Sequence, residues 1–351
     1  MLIDEEFWRG RRVLLTGHTG FKGSWLSLWL ARLGAQVHGL ALAPPGHGSL
    51  FEQARVGELV QEQIGDVRDP DRVRGAFEAS RPEVVIHMAA QPLVRRSLAA
   101  PAETFEVNVQ GTVNVLEAAR DAGRPATLVV TSDKVYALGG ERRAMREGDA
   151  LGGEDPYSAS KAAAELVAGA YREAFDLPVA TARAGNVLGG GDWSADRLLP
   201  DAARAASAGS ELIVRNPESV RPWQHVLGPL SGYLMIAQRL ARGLDCDPAL
   251  NLGPADGAMT VREVLAIAAE LWDGRLRVRE QPEEASREAS YLALDSSRAR
   301  EQLGWVVPWQ SRRSIEESVL WYRAHEAGED ARELCGAQIE VFCEAARGAT
   351  G

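Results

Sequence analysis

The chain has 351 residues, 45% hydrophobic and 25% charged, with a formal net charge of −10. This length suits one large domain with a smaller lobe, and the acidic balance argues against nucleic acid as a partner, because neutralising phosphates takes clustered Lys and Arg. Cys246, Cys335 and Cys343 form no CxxC pair, so neither a disulfide framework nor a metal site is expected. No apolar run precedes the first strand, and none approaches the ~20 residues that span a bilayer. A cytoplasmic protein with no membrane partner is the expectation.

Arg12–Thr16 reads as a buried strand, 17–23 as a turn, and 24–33 as a helix stopped by Gly34. Strands follow at 36–43, 64–66, 83–87, 126–132 and 179–183. Helices lie between them at 69–79, about 102–122 and about 156–175. Strands alternating with helices imply right-handed βαβ units, hence an α/β fold with a Rossmann-type, doubly wound parallel sheet. After Gly185 the pattern changes to loops and shorter helices at 198–208, 226–242, 261–271 and 314–345. We therefore expect a dinucleotide-binding domain over 1–185 and a smaller substrate-binding lobe over 186–351, intertwined with the first.

The turn Thr16–Gly23 reads TGHTGFKG, or GxxGxxG between a strand and a helix. Gly17 permits the tight turn, Gly20 lets backbone approach a pyrophosphate, and Gly23 permits close helix–sheet packing. The helix amino terminus then faces the phosphates. Strand and helix supply the context that the motif needs, so an NAD-type cofactor is expected on Gly17, Thr19, Gly20, Phe21, Lys22 and Gly23. An acidic ribose partner is usual at the end of the second strand, but Leu40-Ala41-Leu42-Ala43-Pro44 has no carboxylate. Asp66 has two readings, an adenine contact or a turn cap.

Tyr157-Ser158-Ala159-Ser160-Lys161 is YxxxK on an expected helix. The i,i+4 spacing puts phenol and ammonium on one face. A nearby cation favours the phenolate, and such a Tyr exchanges a proton with a hydroxyl while a cofactor exchanges a hydride. A surface Tyr and Lys on an ordinary helix is the plain alternative. With the glycine turn, the motif resembles the extended branch of the short-chain dehydrogenase/reductase family along nearly the whole chain. That resemblance implies Ser132 as the third member of a Ser-Tyr-Lys set. It also implies cofactor contacts at Asp66, Val67, Ala89, Ala90 and Asn108, in addition to Tyr157 and Lys161.

Asp133-Lys134 follows Ser132 at the end of a strand, where doubly wound sheets face their ligand. Sugar-nucleotide epimerases of the family generally lack such a charged pair, whereas its nucleotide-sugar 4,6-dehydratases have one. Oxidising C4 of a hexose acidifies the C5 proton, and expelling the C6 hydroxyl as water then needs a base and an acid on one face. Lys134 is read as the base and Asp133 as the acid; a solvated loop ion pair is the alternative. The strings 17–30, 89–97, 183–193, 196–201 and 221–234 resemble the CDP-glucose branch of these dehydratases. The resemblance implies CDP-glucose as substrate and NAD as a recycled cofactor; the alternatives are a 4-epimerase or a dehydratase for another nucleotide-hexose, and a non-catalytic nucleotide-binding protein. It places Asn186 and Arg197 along the nucleotide and its diphosphate, with Arg221 as clamp. Gln91, Arg96, Leu198, Arg215, His225 and Arg298 are further implied contacts. Trp223 lines the same wall or belongs to the core, and Arg298 has the alternative of a surface helix residue. The chain departs from the branch at Ala43, Leu98, 137–145 and Glu154, where aromatic or acidic residues are usual. Helices around 102–122 and 156–175 are apolar on more than one face, and extended relatives pair these helices, so a homodimer is implied.

Overall fold

The computed structural model describes residues 3–44, 46, 48–137, 142–281 and 291–349. Seven parallel strands form the central sheet: β1 (Arg12–Thr16), β2 (Gln36–Ala41), β3 (Gln61–Ile64), β4 (Val84–His87), β5 (Ala126–Val130), β6 (Val179–Arg183) and β7 (Ala249–Asn251). Their order is β7-β6-β5-β4-β1-β2-β3. The direction of winding therefore reverses between β1 and β4, which opens a crevice outside their carboxyl ends. Every residue of β4, β5 and β6 is buried, as the unbroken apolar runs of a sheet covered on both faces require.

Helix α1 (Phe21–Arg32) starts inside the glycine turn, three residues before the expected Ser24. Its N-cap, Gly20, has no capping side chain, so the first amides stay available. Trp25, Leu26 and Trp29 of α1 pack into the larger core on one face of the sheet. The opposite face is covered by α2 (Pro70–Ser80), α3 (Gly111–Asp121) and α4 (Pro156–Phe175). Asp155 caps α4 by accepting from the Ser158 amide, and Pro156 occupies the first turn.

Four expectations shift. The third strand covers 61–64 rather than 64–66; it is a short polar edge strand, so apolar content does not mark it. The helix expected over 102–122 is broken by a π segment at Glu106–Gln110. The tail is two helices, Ser311–Glu326 and Ala331–Ala349, separated at Gly328, whose φ of +95° is left-handed. Finally, the C-terminal half supplies β7 to the main sheet, a three-residue strand too short to show in the sequence. That half also contributes helix α5 (Leu227–Ala241), which packs beneath β4, β5 and β6.

Candidate active site

The crevice is built first from glycines. A Cβ at Gly17 would lie 2.8 Å from the Ala89 amide nitrogen, and one at Gly23 would lie 2.1 Å from the Gly17 carbonyl oxygen. Neither position tolerates a side chain, so the turn seats α1 against the end of β4. Thr19 Oγ1 donates to the Leu42 carbonyl (3.0 Å) and closes the turn onto the chain after β2. Exposed Gly20 and the uncapped amides of α1 present a backbone cradle suited to a pyrophosphate. His18 folds inward over Gly39, and its Nε2 meets Glu62 Oε2 at 3.3 Å. The acidic side chain beside the turn thus comes from β3, not β2. Asp66 accepts from the Arg68 amide (2.9 Å), Nε (2.9 Å) and Nη2 (2.7 Å). The bond to the Arg68 amide closes a turn, and Arg68 holds the carboxyl below the usual range. Val67 lies against Gly111, where a Cβ would sit 2.7 Å from its Cγ2.

The π segment explains Asn108. The widened turn directs its side chain inward, where Oδ1 accepts from the Gln91 amide (2.8 Å) and Nδ2 donates to the Gln91 carbonyl (3.2 Å) and Ser160 Oγ (2.8 Å). π segments recur at functional sites for this reason. His87, at the end of β4, is bonded by Thr16 Oγ1 (2.7 Å) and Thr112 Oγ1 (3.2 Å). Burial, then the Lys161 charge, depresses it to about 3, so it is neutral at any working pH.

Beyond β5 the chain turns sharply. Ser132 Oγ donates to Asp133 Oδ1 (3.0 Å) and accepts from the Lys134 amide (3.2 Å), capping a short 3₁₀ turn. Asp133 Oδ2 is buried and has no hydrogen-bond partner among the described residues. It rests on Gly185, where a Cβ would come within 1.9 Å of it. An unpaired buried carboxyl oxygen is costly, so this one is a candidate to contact a bound group. Lys134 is half-buried, so the pair is not a freely solvated ion pair.

Helix α4 brings Tyr157 and Lys161 to the same place. The Ser132 hydroxyl faces the Tyr157 phenol; burial raises this phenol, while Ser132 and the Arg197 charge oppose the rise. Lys161 Nζ donates to the Val130 carbonyl (3.0 Å). Burial, then repulsion from Lys22, lowers it to about 7. Lys22 is itself lowered to about 8 by burial and by Arg197, and its Nζ donates to the Tyr233 hydroxyl (3.0 Å). The glycine turn therefore carries a third amine into the cluster around Lys161. Composition was a signal for it: Lys22, Lys134 and Lys161 are the only lysines in the chain. Tyr233 and Gly185 lie in the marked strings 221–234 and 183–193, but nothing in those strings showed their contacts with Lys22 and Asp133.

Among the expected substrate contacts, Arg197 stands at the N-cap position of the helix Leu198–Ala208 without a capping side-chain bond, is exposed, and donates to the Pro92 carbonyl (3.3 Å). Leu198 is half-buried beside it. Asn186 follows Gly185 with φ +45°. The Arg221 guanidinium is buried and donates to the Val220 carbonyl (2.9 Å). Five other expected contacts have these settings. His225 is wholly buried between the Trp25 and Trp309 rings, a core histidine rather than a pocket wall. Gln91 spends its amide on Leu93 and Thr104, shaping its own loop. Arg96 is exposed and paired with Glu103 at 2.8 Å. Arg215 is exposed just past the outlying strand Glu211–Val214. Arg298 pairs with Asp247 (3.4 Å) and Glu147 (3.8 Å). Asp247 precedes β7, so Arg298 sits at the amino end of the sheet, away from the crevice. Trp223 is buried with its indole N–H on the Met259 carbonyl, the core alternative. Of the departing segment 137–145, residues 138–141 lie outside the described residues. Among the described residues no acidic, His or Cys cluster suits a metal ion, and no helix is long and apolar enough to cross a membrane.

A doubly wound sheet, a glycine cradle at its first turn and a Ser-Tyr-Lys cluster at its carboxyl edge define an NAD-dependent Rossmann protein of the short-chain dehydrogenase/reductase type. The chain belongs to the NAD dependent epimerase/dehydratase family, whose model matches residues 13–253. It is 46% identical over 341 residues to CDP-glucose 4,6-dehydratase of Salmonella typhimurium, covering 94% of this chain and 95% of that one. It is 28% identical to dTDP-glucose 4,6-dehydratase of Xanthomonas campestris, covering 89% and 93%. Among solved structures, a dTDP-glucose 4,6-dehydratase from Streptomyces venezuelae with NAD bound matches with a TM-score of 0.77 at 26% identity, covering 90% and 98%. The UDP-glucose 4-epimerase of Thermotoga maritima matches in fold, with a TM-score of 0.80 at 21% identity over 90% and 99%.

Proposed function

We propose that the protein is a nucleotide-sugar 4,6-dehydratase that converts CDP-glucose to CDP-4-dehydro-6-deoxyglucose and water. The observation that carries this reading is the Asp133-Lys134 pair, held on a 3₁₀ turn at the carboxyl edge of β5 beside Ser132, Tyr157 and Lys161. Likeness to the Salmonella enzyme along nearly the whole chain supports it.

The side-chain-free cradle at Gly17, Gly20 and Gly23, with the open amides of α1, fits the pyrophosphate of NAD. Thr19, Phe21, Lys22, Asp66, Val67, Ala89, Ala90 and Asn108 complete the proposed contacts. Bound there, NAD would supply the acceptor for hydride from C4 and the donor of hydride to C6. Tyr157 takes the C4 hydroxyl proton, Ser132 orients the phenol, and the Lys161 ammonium stabilises the phenolate. Lys134 Nζ removes the C5 proton. Asp133 delivers a proton to the C6 hydroxyl, which leaves as water. Hydride addition at C6 is matched by return of the Lys134 proton to C5, so C4 stays a ketone, and the proton held on Tyr157 passes through the Ser132 hydroxyl to recharge Asp133. Asn186, Arg197, Leu198 and Arg221 are the substrate contacts we retain, with the guanidinium groups toward the diphosphate.

We further propose a homodimer built on helices 94–99, 101–105 and 156–175, where Leu98, Phe105 and Leu166 are 49%, 40% and 65% exposed. Three free thiols support a reducing, cytoplasmic setting. The test is incubation with CDP-, UDP-, dTDP- and GDP-hexoses. Loss of one water from CDP-glucose, seen by mass spectrometry, is the expected result; an unchanged mass with a C4 epimer would replace the reading. Lys134→Ala is expected to stop release of dehydrated product, and near-normal release would remove Lys134 as the base.

A further inference from the structure

The catalytic segment 132–134 hangs between two residues that bond the same buried ion pair. Ahead of it, Thr131 Oγ1 donates to Glu165 Oε1. Behind it, the Tyr136 hydroxyl accepts from Arg183 Nη1 (2.9 Å) and donates to Asn251 Oδ1 of β7. Glu165 and Arg183 are joined twice, Nε to Oε1 at 3.1 Å and Nη2 to Oε2 at 2.9 Å. Their side chains are only 4% and 5% exposed. Thr181 adds a third donor to Glu165, at 2.6 Å. Glu165 follows Lys161 by four residues and shares its helix face. A buried ion pair costs much of its Coulomb gain in desolvation, and apolar residues of similar volume often serve stability as well. Geometry gives this pair another role.

We propose that Glu165 and Arg183 are positioning residues, which lock the segment 132–134 to helix α4 so that Asp133 and Lys134 stay in register with Tyr157 and Lys161, and whose charges set the field at Lys161. The proposal rests on the dehydratase reading only for the chemistry being positioned.

Lys161 is faced by Lys22 from α1, by His87 from β4, which is neutral, and by Tyr157 and Glu165 on its own helix, with Arg183 behind Glu165 on β6. Lys22 favours loss of the Lys161 proton and Glu165 opposes it. Removing the Arg183 charge leaves Glu165 uncompensated and moves the Lys161 titration up. Removing the Glu165 charge leaves Arg183 uncompensated and moves it down. Residues that merely filled space would not shift Lys161 in opposite directions.

The variants are Arg183→Met, Glu165→Gln and Tyr136→Phe. With three lysines in the chain, reductive ¹³C-methylation gives three side-chain signals besides the terminal amine, and Lys161→Arg assigns the one of interest. No substrate is needed. In Arg183→Met the Lys161 midpoint is expected to rise by about one pH unit, and in Glu165→Gln to fall by about as much. Tyr136→Phe keeps the pair but cuts the loop tie; it is expected to leave the midpoint in place and lower kcat by about 10²-fold, with KM for CDP-glucose within about twofold. Shifts in one direction, no shift, or unchanged kcat in Tyr136→Phe would overturn the proposal. If Arg183→Met does not fold, a Glu165→Gln midpoint that fails to fall overturns it alone. A wild-type protein that releases no dehydrated product defeats the dehydratase reading, and the titration still decides the role of the pair.

Discussion

Gly185 lies against the Asp133 carboxylate so closely that a methyl group there must displace it. Gly185→Ala is therefore expected to fold, bind nucleotide and lose about 10²–10⁴-fold in turnover, the range for losing a positioned acid; single-turnover kinetics beside a binding titration checks this. Lys161 gives a stability prediction with a definite sign. Its amine falls from 10.5 to about 7 in the folded protein, chiefly through burial. Between those values the unfolded chain binds more protons than the folded one, so stability from this group rises with pH across that window. Below about 7 the penalty is fully present. Lys161→Met removes it at the cost of a hydrogen bond worth about 1 kcal/mol. A higher Tm than wild type at pH 6, an advantage shrinking as pH climbs past 7, and no turnover are expected; a lower Tm at pH 6 would contradict this. At this scale the sequence exposed the groups that do chemistry and hid those that hold them. Tyr157, Lys161 and Asp133-Lys134 stand in recognisable strings. Gly185, Glu165 and Arg183 act through contacts between separate segments, and even the marked string 183–193 does not show which groups they touch.

The π segment at Glu106–Gln110 is the element on which the loop after β4 depends, because its Asn108 supplies both hydrogen bonds to the Gln91 backbone. Asn108→Ala leaves a buried amide and carbonyl without partners, which costs about 1–3 kcal/mol. Urea unfolding should show that loss, and turnover should fall further than stability alone explains. Deleting Val107 is expected to restore α-helical register and swing residue 108 away from Gln91, a change that circular dichroism would miss and activity would report. The sequence showed one helix here because all of 102–122 carries helical periodicity, and a single-residue widening leaves that pattern intact. Long buried elements were legible to within a residue or two, as in β6 and α4. Polar edge strand β3 and three-residue β7 were shifted or unseen, because tertiary pairing rather than composition makes them strands.

In the whole molecule, the C-terminal half does not sit apart from the cofactor half. It supplies the outermost strand, β7, and the helix whose Tyr233 receives Lys22, so the site closes only when both halves have folded. The apolar patch formed by Leu98, Phe105 and Leu166 lies on helices of the first half. Equilibrium sedimentation is expected to give a dimer, and Leu166→Glu a monomer; a monomeric wild type would end the dimer proposal. Fold class was legible from the βαβ alternation, whereas the weaving of the two halves was not, because it depends on which strand joins which edge. The clustering of the lysines also governs how the folded protein meets a protease. An endoproteinase that cleaves only after lysine has three target bonds in 351 residues. Two of them lie within the helices α1 and α4, and the third lies in the tight turn between β5 and α4. No surface loop outside the site offers it a foothold, so native protein should survive such a digest intact, and the appearance of fragments should keep time with opening of the catalytic centre itself.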